Sequence, residues 1–375
     1  MSETPLHILK RLYARVENDQ RTALVPDPKL LERIEYVARC LTNRAGVRLL
    51  MACMLGKIDR PQVDARQPYT EIGGNRSFSG RTYDERYITQ FINNYNLPCN
   101  STTAFLTPAL RNIDRPLKTD VVIIGRPAQV YSDTLHILEA VAIGQVTAED
   151  VLADIIRILC VVRDEKKKRM ETLLAGIKES KGGLPLSSEA IVTLIEQHLA
   201  CKNASRLPVL LVAAAYKAAA EKTGECIKTL LSHNAADEQT GALGDVEVCL
   251  ENEDDVVTSY EMKLKRVTYD DIDRAVTKIT SHTPRIDNYV FITTDNIDEE
   301  VNEHARSLYE QLGGVEVVVL DCIGFLRHYL HFFHRIRIDF LDAYQQLVLA
   351  ERDSAVKQPL KEAFLSLRQA AESDE

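Results

Sequence analysis

Three residues have the types and spacing for chemistry on a charged ester: Asp245, Glu261 and Lys263. Side chains alternate faces along a strand. In Tyr260-Glu261-Met262-Lys263-Leu264, Glu261 and Lys263 therefore share one face, and Tyr260, Met262 and Leu264 form an apolar row on the other. Two carboxylates suit a hard cation such as Mg²⁺, which keeps positions for water and a substrate phosphate. The ion acidifies its bound water and stabilises charge on a phosphodiester. A neighbouring ammonium orients or deprotonates that water and holds the phosphate. The competing reading is plain: most exposed charge pairs on strands are solvated and contribute little. Glu247 shares a face with Asp245 and reads as a second ligand or as an exposed strand charge. Glu225, read on a preceding helix, offers an outer carboxylate or a solvated one.

The elements that must position this trio follow from pattern. Pro208 opens an apolar, Ala-rich helix predicted to reach about residue 232, and a polar loop covers Asn234–Gly244. Asp245–Leu250 and Val256–Leu264 read as strands joined by an acidic turn at 251–255. If they pair antiparallel, Asp245 lies beside Glu261 and Lys263. A helix at Asp270–Thr280, a strand at Tyr289–Thr293, a helix at Asp298–Gln311 and a strand at Val315–Leu320 complete an α-β-β-α-β-α-β order. That order predicts a mixed central sheet flanked by helices. Residues 6–56, broken at Pro26 and Pro28, read as helical, as do 83–95, 132–200 and the tail 322–370. Asp120–Gly125 reads as a buried strand, but without a Gly-rich phosphate loop it carries no dinucleotide site. Lys181–Pro185 reads as a turn.

An Asp-x15-Glu-x-Lys spacing with an intervening hairpin is the pattern of the PD-(D/E)xK nucleases, with Gly244 standing where that pattern often has Pro. The chain resembles the SacI-type type II restriction endonucleases. Two blocks carry the likeness: Ala236–Val248 continuing through Tyr260–Thr268, and Asp64–Glu85 with its Arg76-Ser-Phe-Ser79-Gly-Arg81-Thr-Tyr-Asp-Glu core. The resemblance implies an α+β restriction-endonuclease-like core and Mg²⁺-dependent cleavage of double-stranded DNA at a short palindrome. It also implies a homodimer and a cognate DNA methyltransferase as a genetic companion. By the same carry-over, Asp245 and Glu261 are metal ligands and Lys263 the catalytic lysine. A structure-specific or repair nuclease, or a non-catalytic DNA-binding protein, are the alternatives.

Composition constrains the rest. The 375 residues are 45% apolar and 27% charged with a net charge of −9, which argues against coating nucleic acid or anionic membrane through overall field. Residues 60–126 nevertheless hold nine Lys/Arg against six Asp/Glu, a local +3 rich in Arg, Asn, Gln, Ser and Thr. Arg pairs with guanine, Asn or Gln with adenine, and hydroxyls with phosphates. Arg66, Arg76, Ser79, Arg81, Gln239 and Thr240 are the expected DNA contacts, with Phe78 in a groove-entering loop. Otherwise, the arginines of this segment pair with Asp84 and Glu85 or face water. His328, His331 and His334 recur at a spacing of three, which suits a dimer or phosphate-facing helix better than a metal site. Eight scattered cysteines without a CxxC pair read as reduced thiols. With no signal-peptide pattern and no run long enough to span a bilayer, a cytoplasmic chain is expected. The expected organisation is an N-terminal helical region (1–58), a loop-rich DNA-recognition segment (59–130), a helical region (131–204), a nuclease core (205–321) and a C-terminal helical region (322–375).

Overall fold

The computed structural model describes residues 3–17, 20, 22–100, 103–179, 184–230, 242–282 and 285–373. The chain folds into two compact units, Met1–Arg169 and Met170–Glu375. The division falls within one 32-residue helix, Ala148–Glu179, inside the stretch 131–204 read as a single region.

The first unit is helical. Its centre is α3 (Ala45–Asp59), in which every residue from Ala45 to Gly56 is buried. A helix apolar on all sides belongs inside a core rather than on a surface. Around it lie α1 (Pro5–Glu17), α2 (Pro28–Arg39), α6 (Gln129–Ala142) and the first half of α7 (Ala148–Glu179). The expected helix at 83–95 comes in three pieces: α4 (Gly80–Tyr83), a π-turn (Asp84–Ile88) and α5 (Thr89–Asn94). Asp120–Gly125 is not a strand. Its residues belong to no helix or strand, and Val121 and Ile123 are buried while Val122 and Ile124 are over 80% exposed. Alternating burial imitates a strand, but among the described residues no neighbour supplies the ladder hydrogen bonds that define one.

One cation lies fully buried in the first turn of α3. Arg48 Nε donates to Asp84 Oδ1 at 2.7 Å and Nη2 lies 2.6 Å from the same oxygen, with both side chains 0% exposed. Its remaining donors reach the Asn100 carbonyl and, at 2.7 Å, the Thr89 hydroxyl. Asp84 also accepts from the Thr103 hydroxyl and the Ala104 N–H, each at 2.7 Å. Burial lifts the Asp84 pKa against the pull of Arg48 and these donors.

The second unit is α/β, with a five-stranded mixed sheet in the order β1-β2-β3-β4-β5. These are Glu225–Ile227, Val246–Leu250, Val256–Lys263, Asn288–Thr293 and Glu316–Asp321. The first three run antiparallel and the last three parallel, so β3 is the strand at which direction changes its rule. Parallel neighbours need crossovers, supplied by α10 (Tyr269–Ser281) and α11 (Glu299–Ser307). β4 reads the arrangement clearly. Tyr289 and Phe291 pack with Ile272, Ala275 and Val301 of the crossover helices, while Val290 and Ile292 join a second core. That second core contains α8 (Ser188–Leu199), α9 (Leu207–Thr223), α12 (Cys322–Phe332), α13 (Arg337–Ala350) and α14 (Gln358–Ser373). A mixed sheet covered by helices on both faces is therefore present, as the element order predicted. Among the described residues no helix is long and apolar enough to cross a membrane.

Three expectations change here. The Ala-rich helix stops at Thr223 instead of about 232, because Gly224 takes a left-handed φ of 69° and caps it. Glu225 then opens β1 opposite Leu250 and is not a helix residue. The strand carrying Glu261 and Lys263 ends at Lys263, which leaves Leu264 51% exposed and outside the apolar row. The turn at Lys181–Gly183, the end of the polar loop before Ala242, and Gln239 and Thr240 within it lie outside the described residues.

Removing the Asp84 carboxylate would strand a buried guanidinium. Asp84→Ala should cost about 3–5 kcal/mol, read as a lowered urea midpoint for the first unit. A loss below about 1 kcal/mol, the value of an exposed pair, would show that this ion pair does not hold the unit together.

Candidate active site

β2 and β3 bring the backbone of Asp245 beside that of Glu261 and Lys263. The last paired residues are Val246 and Tyr260, and one step further the Asp245 N–H donates to the Tyr260 carbonyl at 2.7 Å. Asp245 then turns back. Its Oδ2 accepts the Met262 N–H at 2.8 Å, at the residue between Glu261 and Lys263. Gly244 permits this approach: a Cβ there would lie 2.6 Å from both the Tyr260 carbonyl oxygen and the Ser259 hydroxyl. A backbone oxygen cannot rotate away, so glycine stands at this step for a steric reason.

Glu261 takes partners on both of its oxygens. Lys263 Nζ lies 2.7 Å from Oε1 and Lys278 Nζ 3.1 Å from Oε2. The Tyr289 hydroxyl, with one proton to give, reaches both Oε2 and the Leu243 carbonyl. Burial pushes the Glu261 pKa up, but the Lys263 and Tyr289 hydrogen bonds and the Lys278 charge outweigh it, and the net shift is down. Lys263 also contacts Asp271 Oδ1 at 3.1 Å. Burial alone would lower the Lys263 pKa; hydrogen bonds to Glu261 and Asp271 reverse this and raise it. At neutral pH Lys263 is thus an ammonium that donates, not a base that accepts a proton.

Asp271, Lys278 and Tyr289 were not singled out from sequence. Asp271 had a local signal: Thr268 caps α10, and its hydroxyl and N–H exchange bonds with Asp271 in a capping box. Its Oδ1 also meets Arg274 at 2.6 Å. Burial raises its pKa, the Thr268 and Lys263 bonds lower it, and the balance takes it to about 2. Lys278 lies seven residues further along the same helix, and Tyr289 is two residues from Phe291 on one face of β4. Only the crossover connection aims these side chains at Glu261.

Glu247 is half-buried and not an exposed strand charge; its Oε1 accepts the Leu243 N–H at 2.8 Å and fixes the loop entering β2. By donor type Asp245 and Glu261 would make a two-carboxylate set for a hard cation, with water or phosphate filling the remaining positions. Such an ion would displace the Lys263 and Lys278 contacts of Glu261. Among the described residues no group of three or more His, Cys, Asp and Glu could hold a metal.

The residues expected to touch DNA from the 59–130 segment lie in the first unit and differ in their surroundings. Arg66 is held by Asp64 at 2.8 Å and Glu139 at 3.0 Å. Ser79 caps α4, accepting the Thr82 N–H at 3.3 Å. Arg81 pairs with Glu85 at 2.7 Å on the surface. Arg76 is exposed. Phe78 is 2% exposed against Gly56 and Tyr83, a core ring and not a groove-entering one. Of the three histidines only His328 and His331 belong to α12; His334 follows its end. His331 meets Glu189 at 2.9 Å, and His328 stacks on Phe332.

Two measurements follow. Gly244→Pro should destabilise the second unit by about 1–3 kcal/mol through overpacking; an unchanged thermal midpoint would contradict the close approach to Tyr260. The lowered Asp271 pKa contributes stability that is complete above the unfolded value of 3.8 and is lost as pH falls toward about 2. Asp271→Asn should therefore flatten that acid limb in a pH series of denaturant unfolding, and an identical limb would refute the assignment. No known family model matches the chain and no curated protein matches it, so the family resemblance stands on its two residue blocks alone.

Proposed function

We propose that this chain is a Mg²⁺-dependent DNA endonuclease of the type II restriction kind, with a PD-(D/E)xK core in its second unit. The observation that carries the reading is the Asp245–Met262 hydrogen bond, which ties one carboxylate to the backbone of the residue between Glu261 and Lys263. The strand order adds support: an antiparallel meander followed by two parallel strands and their helical crossovers has the form that such a core requires.

In this reading Asp245 and Glu261 hold the ion, which supplies an acidified water and charge stabilisation when bound. Lys263, released from Glu261 by the ion and kept protonated by Asp271, donates to the attacking water or the scissile phosphate and orients it. Lys278 contributes a second positive charge beside Glu261. Double-stranded DNA at a short palindrome is the substrate and a homodimer the acting form, as two-fold sites are matched by two-fold proteins. A structure-specific or repair nuclease would use the same residues.

A second, non-catalytic reading has its own observation. Both oxygens of Glu261 are engaged by ammonium or phenol groups, the arrangement of a structural charge cluster.

Incubation of purified protein with plasmid and Mg²⁺ separates these readings. Discrete fragments are expected, smears or junction-dependent cuts would favour the repair nuclease, and intact plasmid across several salts and divalent ions would favour the structural cluster. Lys263→Ala should lower cleavage by at least about 10²-fold while the far-ultraviolet circular dichroism stays that of the parent; an unaltered cutting rate would remove Lys263 from the chemistry.

A further inference from the structure

Two thiols face each other at the edge of the sheet. β1 is the end strand, and its register sets Cys226 directly opposite Cys249 of β2. Residues directly opposite in an antiparallel pair send their side chains to the same face. One step along, Ile227 pairs with Val248, and both pack into the second core, so the two cysteines lie on the other face. The ladder bonds fix the kind of pair. The Glu251 N–H donates to the Gly224 carbonyl at 2.7 Å and the Lys228 N–H to the Glu247 carbonyl at 2.9 Å. Hydrogen-bonded pairs therefore fall at 224/251, 226/249 and 228/247. In such a pair the Cα atoms stand about 5.5 Å apart, inside the range of about 4.4–6.8 Å that disulfides span. Both cysteines are free thiols.

Access differs between the two. Cys226 is half-buried, on a strand that has no neighbouring strand on its outer side among the described residues. Cys249 is 3% exposed. Burial raises the Cys249 pKa against the pull of the Lys228 charge, so its thiol rests protonated at neutral pH. The β2–β3 register shifts between Val248 and Cys249, and an irregularity of this kind bends a strand locally. Cys249 is thus not held in an unbroken ladder on both sides. The other six cysteines lie outside the strands, where no register sets a partner.

We propose that Cys226 and Cys249 are a reversible thiol–disulfide couple, oxidised by a small-molecule disulfide such as glutathione disulfide. The more accessible thiol reacts first. Cys226 gives its proton to water and the thiolate attacks one glutathione sulfur; the glutathione S–S bond breaks and one glutathione thiolate leaves. Cys249, deprotonated in turn, attacks Cys226 Sγ, and the second glutathione thiolate leaves as the protein S–S bond forms. Two protein thiols are oxidised and one disulfide is reduced to two thiols. A partly exposed link at a sheet edge is of the labile kind, so reduced glutathione reopens it. Neither thiol belongs to the Asp245, Glu261 and Lys263 trio, and the couple stands apart from the nuclease reading.

The test holds the full chain in glutathione buffers of rising oxidised fraction, quenches it with an alkylating agent under denaturing conditions and maps its peptides by mass spectrometry. A linked Cys226–Cys249 peptide should accumulate while the other six cysteines are alkylated, and excess reduced glutathione should return both thiols. Cys249→Ser should stop at one glutathione on Cys226, and Cys226→Ser should leave Cys249 alkylated, with the far-ultraviolet circular dichroism of the parent in each. Two alkylated thiols in the parent across the whole series overturn the proposal, as does a link that reduced glutathione cannot reopen. Plasmid cleavage without the link would remove only this inference; the link without cleavage would remove only the nuclease.

Discussion

A carboxylate that is mostly withdrawn from water must be compensated, and Glu261 sets that requirement for the second unit. Burial penalises its charge, and no single neighbour offsets the penalty. Lys263 comes from the same strand, Lys278 from the following crossover helix and Tyr289 from the next strand. Tyr289 reaches Glu261 only if the parallel β3–β4 pair is in register, and Lys278 only if the crossover helix packs on that face of β3. A slip of one residue would send Glu261 to the opposite face, into the core of Tyr260, Val290 and Ile292. Sheet topology and site electrostatics are thus one constraint seen from two sides.

Much of this was legible in the chain because its signals are local. Alternation along Val256–Lys263 and the acidic turn gave the hairpin, and the pattern around Tyr269–Ser281 gave the crossover helix within a residue. Asp245 was placed beside Glu261 by counting across the turn, and the Met262 hydrogen bond agrees with that count. Signals that depend on distant neighbours failed. Asp120–Gly125 has the residues of a strand but no partner strand. Glu225 lay beyond a Gly whose left-handed cap ends the helix, and an Ala-rich sequence masks that stop. Lys278 and Tyr289 look like ordinary surface and core residues until the crossover aims them.

The first unit handles charge differently. Arg48 and Asp84 are fully withdrawn from water, and backbone and hydroxyl groups satisfy their remaining valences. Arg66 is clamped by two carboxylates. The local surplus of basic residues in 60–126 is therefore not all available at the surface; part of it is spent on architecture. What remains outward, Arg76 and Arg126 among them, is smaller than the composition suggested. The same segment can be basic by count and selective in where it presents charge.

Gly244 separates two kinds of constancy. The space there is closed by the Tyr260 carbonyl and the Ser259 hydroxyl, neither of which takes part in chemistry. A descendant of this chain that lost Asp245 or Lys263, and with them any reaction, would still be held to glycine at 244 by packing alone. In a lineage of such chains, that glycine would trace inheritance of the scaffold, while the three charged positions beside it would trace inheritance of the activity.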